Sequence, residues 1–147
     1  MSYPLYRDLG LLLARVGLGA VFLAHGLQKL NVWGLDGTTA AFESMGVPAA
    51  GVTAFLVMWL EVLGGIALII GLLTPVIGAL FVLDMAGAIV FTHFENGLWV
   101  GDGGYELVLV LGLAALMLAV VGAGRISVDG LLGKRVSWLA PRALASA

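Results

Sequence analysis

The 147-residue chain has no cysteine, so it cannot form a disulfide, ligate an iron-sulfur cluster or exchange thiols. Charge is scarce as well: charged residues are 11 % of the sequence, against about 25 % in soluble proteins. With hydrophobic residues at 61 % and a mean hydropathy of +1.10, a water-soluble globule is excluded. A net charge of -2 without a long basic run leaves no electrostatic footprint for nucleic acid. The sequence also lacks H-E-x-x-H, the paired E-x-x-H of di-iron bundles, a glycine fingerprint for nucleotides and C-x-x-C, which takes support from those specific chemistries. No repeat, linker or low-complexity tract divides it, and residues 1–147 read as one domain.

What the chain does have is four apolar stretches, running approximately from Leu9 to Leu30, Val52 to Leu73, Pro75 to Phe94 and Gly104 to Ala123. A bilayer core of about 30 Å needs about 20 such residues in a helix. Continuous apolarity argues against a barrel, whose strands alternate. The first stretch is interrupted by Arg15, His25, Gln28 and Lys29 and no cleavage motif follows, so it reads as a retained span rather than a signal peptide. The fold class is an all-α membrane protein, a bundle of four transmembrane helices.

Lysine and arginine fix the expected orientation. Arg7 precedes the first span and Arg125, Lys134, Arg135 and Arg142 follow the last, whereas the connections 31–51 and 95–103 carry only Asp36, Glu43, Glu95 and Asp102. Both termini are expected in the cytoplasm. Thr74 and Pro75 form a tight hairpin, with proline at a natural helix start. A short helix from Thr38 to Met45 is expected to lie as a lid on the outer face. The segment 126–139 mixes apolar residues with Lys134 and Arg135, which suits either an interfacial segment on anionic lipid or a loosely ordered tail.

An ionisable side chain at membrane depth costs at least about 2.5 to 3.5 kcal/mol, so each needs a partner or a function. Arg15, His25, Glu61, Asp84, His93 and Glu106 qualify, with Lys29 at the rim. Arg15, Leu18, Phe22, His25 and Lys29 share one helix face. A structural ion pair of Arg15 with Glu61 or Asp84 is the simplest expectation. Gly64, Gly65 and Gly71 imply close packing at that end of the second span.

His25, Lys29, His93 and Glu106 are expected in one outer layer, where they are the candidate catalytic, proton-handling residues. A histidine and a carboxylate at apolar depth can hydrogen-bond a quinone's oxygens and exchange its protons. Phe22, His25, Glu61 and Glu106 are the candidate cofactor contacts, with Phe22, Leu23 and Leu109 as pocket walls under the lid. The alternative chemistry is two histidines on a haem, or with Glu106 on a metal, though no dedicated metal-ligand motif is present.

These residues also carry a resemblance. The sets R-x-x-L-G-x-x-F-x-x-H-G-x-x-K (Arg15 to Lys29), G-x-P (Gly46 to Pro48), E-x-x-G-G (Glu61 to Gly65), H-x-x-x-G (His93 to Gly97), G-G-Y-E (Gly103 to Glu106) and G-x-G-R-x-S-x-D (Gly122 to Asp129) resemble the DoxX family of small four-helix membrane proteins. Arg15, His25, Lys29, Glu61, His93 and Glu106 match its pattern; Asp84 does not, since the pattern has an apolar residue there. The resemblance implies an oxidoreductase or oxidoreductase subunit near quinone-linked or oxidative-stress systems, in a bacterial or archaeal cytoplasmic membrane. Lipid, soluble redox proteins or another membrane subunit are the implied partners, and an oligomer is compatible with it. A cofactor-free anchor that organises soluble redox partners is the second reading, and the haem or metal protein the third.

Overall fold

A computed structural model describes residues 5–140, and the described elements are helical throughout. The first rod is α1 (Leu5–Gln28), which continues through a π-helical turn (Lys29–Trp33) into α2 (Gly34–Ser44). The second comprises α3 (Ala50–Trp59), a π turn (Leu60–Gly64) and α4 (Gly65–Ile70). The third is α5 (Thr74–Ala88), followed by a π turn (Ile89–His93) and a 3-10 turn (Phe94–Asn96). After a loop come α6 (Glu106–Val121), the short α7 (Val128–Leu132) and a final 3-10 turn (Ser137–Leu139).

Three rods, Leu5–Ser44, Ala50–Ile70 and Thr74–Asn96, are long and apolar enough to cross a membrane. The expected fourth span is shorter than its sequence suggested. The α6 helix has 16 residues, about 24 Å at 1.5 Å per residue. Its expected first residue, Gly104, is spent in the loop, where its N–H donates to the Trp99 carbonyl at 2.9 Å. Gly122, at φ 83°, ends the helix. The lid segment begins at Gly34 rather than Thr38, because the first rod enters it through a π turn without an intervening loop.

The rods pair by backbone approach. A Cβ on Gly19 would lie 2.6 Å from the Gly65 carbonyl oxygen, and one on Gly26 would lie 2.7 Å from the Val62 nitrogen, so α1 and the second rod run antiparallel in near contact. Gly78 meets Ala115 and Ala119 in the same way across α5 and α6. Between the two pairs, Phe22 and Phe81 stack with ring centroids 3.7 Å apart, surrounded by Leu11, Leu18, Leu68, Met85 and Leu118. The bundle thus has a hairpin end, at the turn from Gly71 to Thr74, and a loop end, at α2 and the connection before α6. Residues 126–139 hold the short α7 and the final 3-10 turn, with Asp129 and Leu139 buried; Arg142 lies outside the described residues.

Candidate functional site

Side chains on a helix lean toward its N-terminus. On antiparallel rods this decides who can meet. Lys29 leans toward the hairpin end and Glu61 toward the loop end, so they converge: the Lys29 Nζ donates to Glu61 Oε1 at 2.9 Å and Oε2 at 2.6 Å. Both side chains are shielded, 13 % and 5 % exposed. Arg15 and Glu61 lean apart, which corrects the expected ion pair. Gly26 is level with Glu61, and Arg15 lies eleven residues further along α1, about 16 Å away along the axis.

Arg15 instead serves the hairpin end. Its Nη1 donates to the carbonyls of Leu68 and Ile69 and its Nη2 to that of Ile126. The first two are carbonyls at the C-terminus of α4, where unsatisfied acceptors and the negative end of the helix dipole favour a cation. The acid whose charge acts on Arg15 is Asp129. That carboxylate, 1 % exposed, accepts from the N–H groups of Leu73 at 2.7 Å and Thr74 at 2.8 Å, capping α5. Beside it, Asp8 accepts from Arg125 Nε at 2.6 Å and from its backbone N–H at 3.0 Å. The segment Gly122 to Asp129 is therefore a clasp over the hairpin end.

Asp84 has no bond to Arg15 either. It is half-buried on α5, with an inaccessible Oδ2 that has no hydrogen-bond partner. It lies within electrostatic reach of Glu61 and Lys29. His25 is exposed on α1 beside Glu61, on whose carboxylate its charge acts. Its Nδ1–H donates to the Val21 carbonyl at 2.9 Å, which leaves Nε2 free.

The expected outer layer of four is not drawn together by any hydrogen bond or ion pair. Lys29 belongs to Glu61. His93 is half-buried and its Nδ1–H donates to the Gly103 carbonyl at 2.6 Å, tying α5 to the following loop. Glu106 sits in the first turn of α6, partly exposed, a favourable place for a carboxylate beside a helix N-terminus. Phe22, expected as a pocket wall, is 1 % exposed in the Phe81 stack, and Leu23 packs its backbone on Gly65. A cavity of about 150 Å³ does open between α5 and α6, lined by Val82, Met85, Ile89, Val108, Leu109 and Leu113 among others, but its walls are apolar. Among the described residues no three of His, Cys, Asp and Glu gather as a metal site.

Asp8 and Asp129 were not singled out from sequence. Asp129 ends the G-x-G-R-x-S-x-D motif, and Asp8 directly precedes the first apolar stretch. An acid held at the edge of a span was the available signal.

The DoxX family pattern matches residues 10–94. The chain is 32 % identical over 122 residues to "Putative oxidoreductase CatD" of Bacillus subtilis, covering 83 % of this chain and 86 % of that protein. It is 35 % identical over 135 residues to "Uncharacterized membrane protein Rv3486" of Mycobacterium tuberculosis, covering 84 % and 81 %. A third relative, "Inner membrane protein YqjF" of Escherichia coli, is 36 % identical over 133 residues, covering 88 % and 96 %. No solved structure matches. Three membrane-length apolar rods agree with relatives named as membrane proteins, and by the extent of these matches the chain belongs to the DoxX family.

Proposed function

We propose that the protein is an integral membrane component of a quinone-linked redox system, crossing the bilayer four times with both termini in the cytoplasm. The orientation is supported by charge: Arg7, Arg125, Lys134 and Arg135 precede or follow the bundle, while Asp36, Glu43, Glu95 and Asp102 lie in the loop-end connections. The short α6 is accommodated by local thinning of the bilayer around it.

The observation that carries the redox reading is His25. An exposed imidazole with Nδ1–H fixed on Val21 presents Nε2 outward at apolar depth, beside the buried Glu61 and Lys29. With Nε2 bare, that nitrogen would accept from the hydroxyl of a quinol, and when it carries a proton it would donate to a quinone oxygen. The name of the Bacillus relative agrees with a redox role. Purified protein in lipid nanodiscs, titrated with a short-chain ubiquinone, should show saturable binding that His25→Ala abolishes while the helical signal stays. Binding unchanged in folded His25→Ala protein overturns the reading.

A second reading, a membrane anchor that organises soluble redox partners, is favoured by the packed centre of the bundle, where Phe22 and Phe81 stack on each other and are both buried.

A further inference from the structure

We propose that Lys29, Glu61 and Asp84 form a one-proton exchange site inside the bundle, in which the Lys29 ammonium bridges to whichever carboxyl is ionised while the other carries the proton. The inference needs the membrane setting but no quinone.

The argument starts from a charge count. The second rod contributes Glu61, α5 contributes Asp84, and α1 with its π turn contributes Lys29 and, at the surface, His25. The α6 helix has no ionisable residue after Glu106 in its first turn. Two carboxyls and one ammonium are electrically neutral only when one carboxyl holds a proton, and uncompensated charge at membrane depth is the most expensive alternative. Glu61 already has both oxygens bonded to Lys29, whereas the shielded Oδ2 of Asp84 has no partner. The unused group is therefore the second carboxyl.

An exchange also needs a movable partner. Lysine is a flexible point charge with three donors, and Glu61 engages it through both oxygens. Lys29 and Glu61 each sit in a π turn, at Lys29–Trp33 and Leu60–Gly64. Such turns carry one extra residue in the helical ladder and are points where a helix can re-register locally. In the exchange, Lys29 moves its hydrogen bonds from Glu61 to Asp84 as the Asp84 proton passes to Glu61, and the reverse step returns both. No proton is gained or lost, and the charge of the set is unchanged.

Infrared spectroscopy of the full chain in nanodiscs tests this, reading the band of a carboxylic acid shielded from water and its shift in deuterium oxide. The wild type should show one such band. It should vanish in Asp84→Asn, because Glu61 is then held ionised by Lys29, and equally in Glu61→Gln, because Asp84 inherits the lysine. In Lys29→Met it should double. A band that survives in Asp84→Asn, or one that Glu61→Gln leaves untouched, overturns the exchange. Should Lys29→Met fail to fold, the two near-isosteric carboxyl variants decide alone, with circular dichroism confirming their helices.

Discussion

The guanidinium of Arg15 packs directly on Gly71: a methyl group at residue 71 would lie 2.9 Å from Nη1 and 2.5 Å from the Ser127 Cβ. Gly71 has φ 71°, the left-handed residue that ends the second rod and turns the chain toward α5. The hairpin end is closed by this contact, so the smallest possible side chain there is a structural requirement twice over.

Gly71→Ala should therefore destabilise the protein by about 1 to 3 kcal/mol from backbone strain alone, with the clash in addition. Gly10→Ala is the control. A Cβ at Gly10 meets nothing within 4 Å in the middle of α1, and alanine should stabilise it by about 0.5 to 1 kcal/mol. Thermal unfolding in detergent followed by circular dichroism reads both; equal shifts of the same sign would contradict the packing described.

The Lys29 and Glu61 pair should behave as a coupled unit. Lys29→Met removes the shared cation and should cost about 3 kcal/mol, Glu61→Gln should cost less because Asp84 can take its place at the lysine, and the double variant should cost clearly less than the sum. Arg15→Met combined with Glu61→Gln should be additive to within about 0.5 kcal/mol, because the two do not touch. Coupling in the second cycle and none in the first would restore the pairing first expected from sequence.

That reversal shows what the sequence carried and what it did not. The first three spans were legible because runs of about 20 apolar residues have few alternatives in a membrane protein. The close approach at Gly64, Gly65 and Gly71 was legible from residue size. Partner choice for Arg15 was not, since depth along the helix was counted without the lean of each side chain, which separates Arg15 from Glu61 and brings Lys29 to it. The π turns at Lys29, Leu60 and Ile89 have no signature in apolar periodicity. Each adds a residue to a helix and rotates everything beyond it by about 100°, so the facing of His93 relative to Asp84 could not be read from a regular wheel.

The clasp makes a separate prediction at Asp129. Its two oxygens satisfy the first free N–H groups of α5, at Leu73 and Thr74. Asp129→Ala should cost about 1 to 2 kcal/mol for the lost cap, and more because Arg15 loses the acid beside it. Asp129→Asn keeps one acceptor and should lose less. If alanine and asparagine are equally damaging, the charge facing Arg15 outweighs the cap; if neither matters, the clasp does not hold the hairpin end.

Phe22 separates the two roles that sequence and structure give it. The pocket expectation made it a wall contacting a bound quinone ring. In the fold it is 1 % exposed and stacked on Phe81 at an interplanar angle of 7°. A buried phenylalanine cut to alanine leaves a cavity and costs about 3 to 5 kcal/mol, so Phe22→Ala should lower the unfolding temperature strongly. Quinone binding per folded molecule should stay unchanged, because the imidazole of His25 lies on the exposed face of α1, outside that stack. Chemical denaturation and quinone titration of the same preparation read both quantities. A variant with normal stability and lost binding would show that the ring faces a ligand, and would move the quinone site from the lipid-facing surface into the bundle.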